Sequence, residues 1–352
     1  MSRASGHELI ALSTLQFTDG LGILVALLLA YVLTLAVVPP LIRKMRAGGM
    51  VGKDVNKASK PEVAELGGIA ALFAFSVSLS LVVGIQKILG NVAEPPFLAS
   101  ISVFFMAAMI GLIDDISNIR QRLKAVAVAF AALPLMLVHL GPETIDLPLG
   151  LEISFPTGIH LLYWLILVPI GVTGFANAMN MSAGYNGLES GQIAIVSLAL
   201  LCITFLRNGP DYASLIFAAI AGSSLGLFFF NRFPARTFIG DIGTLGLGAA
   251  LASGVILGHI EFYGLVAIAP AFYEAVATTY YGFHKENGKR KIACRNPVIH
   301  SDGRLEPPAG ASRYTLAYWL LSRRSMSEKT LVWVLLGFYA ASGAVAILLS
   351  VI

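Results

Sequence analysis

Apolar residues run along this chain in long blocks, and polar residues gather in the gaps between them. Ten blocks are long enough to span a bilayer and almost free of charge: 21–42, 66–86, 96–113, 125–142, 155–175, 191–206, 212–230, 242–260, 262–283 and 331–352. A helix rises ~1.5 Å per residue and a hydrocarbon core is ~30 Å thick, so blocks of this length suit transmembrane helices. The gaps leave no room for a separate soluble domain. The pattern predicts an all-α, polytopic membrane protein of about ten transmembrane helices, forming a single domain over 1–352. The first twenty residues lack the short apolar core and cleavage site of a signal peptide, so the first span is expected to be retained.

Composition agrees: 12% of residues are charged and 57% hydrophobic, against roughly 25% charged in a soluble domain. Two cysteines, Cys202 and Cys294, are too few for a disulfide framework or a zinc site. Ten spans place both termini on one side and divide the loops into two sets. One set, near 43–65, 114–124, 176–190, 231–241 and 284–330, holds 21 of the 24 Lys and Arg residues, leaving Arg3, Lys87 and Arg207 for the other. By the positive-inside rule the crowded side is cytoplasmic and both termini are extracytoplasmic. The net charge of +4 thus reads as topology, not as nucleic-acid binding.

Chemistry follows the charge. A transporter places polar groups near the bilayer midplane on interrupted helices, whereas these spans are mostly clean, Glu274 being the clearest exception. Glu274 suits either a structural hydrogen bond or a role at a site. In the first cytoplasmic loop Asp54, Asn56 and Lys57 form a compact polar cluster, although the stretch also suits a basic anchor at lipid headgroups. Its GGMVGKD beginning lacks the spacing and the Ser or Thr of a phosphate-binding loop. The second loop carries Asp114-Asp115, then Arg120 and Lys124. Adjacent carboxylates on a helix point about 100° apart, so one can face a metal or phosphate while the other makes a structural pair. On a continuing helix Arg120 and Lys124 would present two cations on one face.

The third loop brings Asn177, Asn180 and Asn186 with glycines that permit a tight turn; such amides read a nucleobase edge, ligate a hard cation, or simply cap a helix. In the fourth, Asp241 follows Gly240 at the start of a span, as a helix-terminal carboxylate or a Mg²⁺ ligand. The last loop is long enough to fold over a ligand, with Arg295, His300 and Arg304 near its centre.

Together these segments resemble the polyprenyl-phosphate N-acetylhexosamine-1-phosphate transferase family. The likeness covers almost the whole chain: the ten-span layout, DD-x4-R-x3-K at 114–124, N-x2-N-x5-N-G at 177–187 and F-x-GD-x-G-T at 238–244. The muramyl-pentapeptide branch differs, carrying Asp where this chain has Ala183 and a histidine cluster where this chain has His300. The AGYNGLE wording and the NK…PE…GG loop are more similar to dolichyl-phosphate GlcNAc-1-phosphate transferases. The Asp302-Gly303-Arg304 segment is similar to archaeal members, which suggests the cell membrane of an archaeon or other prokaryote.

The resemblance implies transfer of GlcNAc 1-phosphate from UDP-GlcNAc to dolichyl or another polyprenyl phosphate, releasing UMP, as the first lipid-linked step of N-glycan or surface-glycan assembly. It implies Mg²⁺, with Mn²⁺ as an alternative, on Asn180 and Asp241, and Asn186 at uracil. Lys124 would contact phosphate, and Asp114 and Asp115 would align the acceptor or assist its attack. Asp54, Asn56, Lys57, Glu62, Asn177, Arg120, Arg295, His300 and Arg304 are the remaining substrate-binding candidates. A homodimer is implied by likeness, and Gly222-x3-Gly226 can pack helices within or between subunits. The rival classes are another UDP-N-acetylhexosamine as donor, a lipid-linked sugar flippase, and a CDP-alcohol phospholipid synthase, whose motif is absent.

Overall fold

A computed structural model describes residues 6–88, 94–117, 119–138, 144–156, 159–283, 296–309, 311 and 315–352. In chain order α1 (Gly6–Ala47) leads through a short hairpin, β1 (Val51–Lys53) and β2 (Glu62–Ala64), to α2 (Gly68–Ile88) and α3 (Pro95–Ser117). The chain then forms α4 (Gln121–Ala127), a 3₁₀ stretch and α5 (Leu133–Met136), followed by a second hairpin of β3 (Thr144–Asp146) and β4 (Glu152–Ser154). Next come α6 (His160–Leu162), joined by a π-helical turn to α7 (Val168–Met181), then α8 (Leu188–Leu206), α9 (Asp211–Asn231) and α10 (Gly240–Leu257). The last part holds α11 (Glu261–Ala267), α12 (Ala269–Phe283), β5 (Val298–Ile299), β6 (Arg304–Glu306), α13 (Leu316–Arg323), β7 (Met326–Ser327) and α14 (Glu328–Ser350).

Among the described residues, eight helices are long and apolar enough to cross a membrane. The other two expected spans are modified. The fourth is an apolar helix over Leu123–Met136, tightened by the 3₁₀ turn at Val128–Ala132 and restarted at Pro134. Nine α-helical residues at ~1.5 Å and five 3₁₀ residues at ~2.0 Å reach about 24 Å, short of the ~30 Å hydrocarbon thickness. The ninth is the pair α11 and α12, bent by 71°. Pro270, one residue into α12, supplies no N–H to bridge the break. Residues at that break are apolar, and the carboxylate of Glu274 further along accepts the Leu316 N–H at 2.7 Å, holding the start of α13. The structural alternative for Glu274 is the one that the geometry shows.

The centre of the bundle is α10, of whose spanning window 89% is buried, with α9 at 83%. Both are apolar on every side, the pattern of a helix enclosed by others. The outer helices turn Leu24, Leu28, Phe105, Phe205 and Leu348 outward, where lipid chains take them up. Small residues set the approach at the core. A Cβ on Gly222 of α9 would collide with the Leu27 carbonyl of α1, and one on Gly226 would lie 2.7 Å from Thr34 Cβ. The glycine pair is therefore used inside the subunit. A buried Ser100–Ser253 hydrogen bond of 2.6 Å adds a polar link between α3 and α10.

The loops collect at two ends. At one, Phe238 N donates to Ala64 O at 2.8 Å and Gly67 N to Phe238 O at 2.8 Å, so the first and fourth polar loops are joined through their backbones. At the other, Arg207 reaches Asp146 at 2.7 Å, and Leu149 N donates to Ile352 O at 3.2 Å. The C-terminus thus lies at the end opposite the polar loops.

Candidate active site

Two polar clusters form where the basic loops meet. The first is built on Lys124, only 3% exposed. Its ammonium donates to Asp114 Oδ2 at 2.7 Å and to Asp241 Oδ2 at 2.5 Å. The other oxygen of Asp241 accepts from Asn180 Nδ2 at 2.7 Å, and the same amide nitrogen reaches Thr244 Oγ1 at 2.8 Å. Elements α3, α4, α7 and α10 each contribute, so residues far apart in sequence converge on one ammonium. Two carboxylates on one cation leave a negative site at the start of the central helix.

The paired acids part ways as their 100° separation requires. Asp114 turns to Lys124, while its Oδ1 accepts the Ile119 N–H at 2.6 Å. Asp115 accepts the N–H groups of Asp241 at 2.9 Å and Ile242 at 3.1 Å, satisfying two of the donors that a helix start leaves open. Gly240 makes this contact possible: its φ is +71° and a Cβ there would lie 2.8 Å from Asp115 Oδ2. Arg120 departs from the expected shared face with Lys124. The helix ends at Ser117, and Arg120 is the residue before α4, with φ −58° and ψ 125°. An extended residue there points away from the helix that follows, so Arg120 is exposed while Lys124 is buried.

The second cluster joins the first loop to the third and to the start of α14. Asn186 Nδ2 donates to Asp54 Oδ2 at 2.8 Å, and Asn56 Nδ2 donates to the Gly184 carbonyl at 2.7 Å. Lys57 pairs with Asp54 and, at 3.0 Å, with Glu328 Oε2. Glu328 Oε1 accepts the Asn186 N–H at 2.8 Å. Lys57 also lies 4.7 Å from the Phe233 ring centre.

Other candidates lie apart from both clusters. Asn177 donates back to Thr173 O in its own helix at 2.9 Å, and Glu62 is exposed on β2 opposite Lys53. His300 and Arg304 sit on a hairpin of β5 and β6, their side chains exposed and paired to Glu306 at 3.0 Å and Asp302 at 3.2 Å. Arg295 lies outside the described residues. Glu328 and Thr244 join these clusters although sequence reasoning did not single them out as site candidates. Thr244 carries a signal, three residues after Asp241 on the same helical face. Glu328 follows Ser327, whose hydroxyl accepts the Thr330 N–H at 3.2 Å, and so looks like the first turn of any capped helix.

A multi-span helical bundle with acids, amides and a buried lysine at one membrane end defines a class, and comparison with known proteins places the chain within it. Residues 97–259 match the model of glycosyl transferase family 4. The chain is 31% identical over 339 residues to a Saccharolobus solfataricus protein provisionally named UDP-N-acetylglucosamine–dolichyl-phosphate N-acetylglucosaminephosphotransferase, covering 94% of this chain and 96% of that one. A Sulfolobus acidocaldarius protein with the same provisional name is 35% identical over 249 residues, 68% of this chain and 72% of its own length. The phospho-N-acetylmuramoyl-pentapeptide-transferase of Streptococcus mutans is 29% identical over 244 residues, 65% of this chain and 70% of its own. The chain belongs to glycosyl transferase family 4, and it is an integral membrane transferase.

Proposed function

We propose that this protein transfers N-acetylglucosamine 1-phosphate from UDP-GlcNAc to dolichyl or another polyprenyl phosphate on the cytoplasmic side of the membrane. The observation that carries the reading is the pair Asp114 and Asp241 on the buried Lys124 at the membrane end of the central helix. Such a site, negative by itself, would take up a divalent cation, and that charge would let two anionic phosphates, one soluble and one lipid-anchored, meet at an apolar boundary. The names borne by the archaeal relatives support the donor and acceptor. The excess of basic residues on this face supports its being cytoplasmic.

In this reading an oxygen of the lipid phosphate forms a bond to the sugar-bearing phosphorus, and the bond from that phosphorus to the bridging oxygen breaks. UMP leaves with that oxygen, and the lipid-linked pyrophosphate remains. The acceptor is largely dianionic at neutral pH, since a phosphomonoester has its second pKa near ~6. It therefore needs little deprotonation. Lys124 offsets negative charge as the phosphates approach, and Asp114 holds the ammonium in place. Asp115 holds the start of α10 and with it the position of Asp241. Asn186, held by Asp54 and Glu328, presents an amide toward the nucleoside.

Asp241 and the Asn180 amide, once the amide turns its oxygen inward, would offer oxygen donors, which fits Mg²⁺, or Mn²⁺ in its place. Mg²⁺ takes one or two carboxylates and fills its shell with phosphate oxygens and water. When bound it would supply charge neutralisation at the pyrophosphate.

Purified protein given UDP-GlcNAc, Mg²⁺ and polyprenyl phosphate should release UMP and form a lipid-linked GlcNAc pyrophosphate. Failure to release UMP from any UDP-N-acetylhexosamine with a lipid phosphate acceptor would overturn the reading.

A further inference from the structure

A cavity of about 560 Å³ lies between the last turn of α9, the loop after it and the first turn of α14. Arg232, Arg236 and Lys329 line it together with Phe228, Phe229 and Trp333. Asn186 closes one side and is the sole member of either polar cluster among the lining residues. Lys124, Asp114 and Asp241 do not border it, so it is not the place where phosphates would react.

The charge in this cavity is unbalanced. None of the three cations makes an ion pair with a described residue, while the nearby acids are engaged: Asp54 and Glu328 with Lys57, and Asp114 and Asp241 with Lys124. The guanidiniums are nonetheless held. Arg232 and Arg236 stack over Phe229 at 5.0 and 5.2 Å, Arg236 also lies 4.5 Å from the Phe230 ring, and its Nη2 donates to Phe229 O at 3.3 Å. Position adds the second half of the argument. Phe229 and Trp333 are 41% and 59% exposed on the ends of membrane helices, the level at which aromatic rings meet lipid headgroups. A slot with cations at its aqueous rim and exposed rings on its apolar wall matches an amphiphile with an anionic head.

We propose that this cavity binds the phosphodiester headgroup of an anionic membrane phospholipid, with an acyl chain running along Phe229 and Trp333. The lipid would brace the site from outside. Lys329 adjoins Glu328, and Arg232 and Arg236 belong to the loop that leads into Asp241. Binding there ties α14 to the α9–α10 loop and so steadies both clusters. The effect on turnover rests on the proposed transferase activity; the binding itself does not.

The test uses Trp333 as its own reporter. A full-length variant carrying Trp164→Phe and Trp319→Phe retains that single tryptophan. It is placed in phosphatidylcholine vesicles containing, at equal mole fraction, brominated phosphatidylglycerol or brominated phosphatidylcholine. Quenching should be several-fold stronger with the brominated phosphatidylglycerol. Lys329→Gln, which leaves the stacked arginines in place, should lower that preference about fivefold, since a basic residue near a membrane surface contributes ~1 kcal/mol. The triple variant Arg232→Gln, Arg236→Gln, Lys329→Gln should abolish it. Equal quenching by the two lipids in the unsubstituted cavity overturns the proposal.

In turnover assays, phosphatidylglycerol should raise UMP release by the wild type, through a higher kcat, a lower KM for UDP-GlcNAc or both, and leave the triple variant unaffected. A KM raised in every lipid mixture would assign the cavity to the nucleotide sugar instead and also overturn it. If no UMP is released at all, the transferase reading fails while the quenching still decides the lipid site.

Discussion

Asp241 meets three partners at once: Lys124, the Asn180 amide and, through its backbone N–H, Asp115. Asp241→Ala removes a charge from the proposed reacting centre while leaving the Asp115 cap in place. Turnover should fall by about 10²–10³-fold, the usual loss for one preorganised electrostatic group, with the elution profile and helical circular dichroism unchanged. Asp115→Ala should behave differently. It leaves two helix-start N–H groups unmet, so it should lower stability by ~0.5–2 kcal/mol in thermal unfolding as well as activity. Glu328→Gln keeps the shape but weakens the hold on Lys57 and on the Asn186 N–H. We expect KM for the nucleotide sugar to rise several-fold with kcat nearly unchanged, and Glu328→Asp to restore part of the affinity. The acids, amides and Lys124 were legible in the sequence because their types and spacing are unusual beside apolar spans. The division of labour between Asp114 and Asp115 was not, since it depends on which neighbour each finds. Glu328 was hidden because a carboxylate in a first helical turn has an ordinary local explanation.

At the scale of elements, the eight long spans were legible because a lipid-facing or enclosed helix declares itself by apolar content alone. The fourth and ninth spans show where content is insufficient. Both have the composition of a span, yet a 3₁₀ turn and Pro134 interrupt one and a 71° bend ahead of Pro270 breaks the other. The break between α3 and α4 has the same character. It sets Arg120 outward and folds Lys124 back onto Asp114, which a continuous helix would not do. The α1–α9 contact offers a test. Gly222→Leu would drive a side chain into the Leu27 backbone, so the helices must separate. Overpacking of this kind costs about 1–3 kcal/mol or more, and the variant should unfold at lower temperature in detergent with activity lost in parallel. Gly337, where an added Cβ would meet nothing within 4 Å, should accept alanine without that loss.

Across the whole molecule the two ends carry opposite assignments, and labelling can check them. Leu149, 73% exposed on the turn between β3 and β4, lies at the end away from the clusters, and Glu62 at the end that holds them. In a Cys202→Ser, Cys294→Ser background, Leu149→Cys should react with an impermeant maleimide in intact cells, and Glu62→Cys only after permeabilisation. The reverse pattern would place the site outside. The amino-acid sequence by itself determined that this is a bundle of membrane helices with most of its Lys and Arg residues in one set of loops. Partition into lipid depends on the apolar content of each segment, and alternation along the chain sorts the loops without knowledge of any contact. Only the tertiary structure decided which acids share Lys124, that Asp115 serves the backbone of α10, that Glu328 joins the first and third loops, and that three cations line an aromatic slot. Those pairings span up to 271 positions in sequence, and they arise from how closely the helices approach, which no local pattern records.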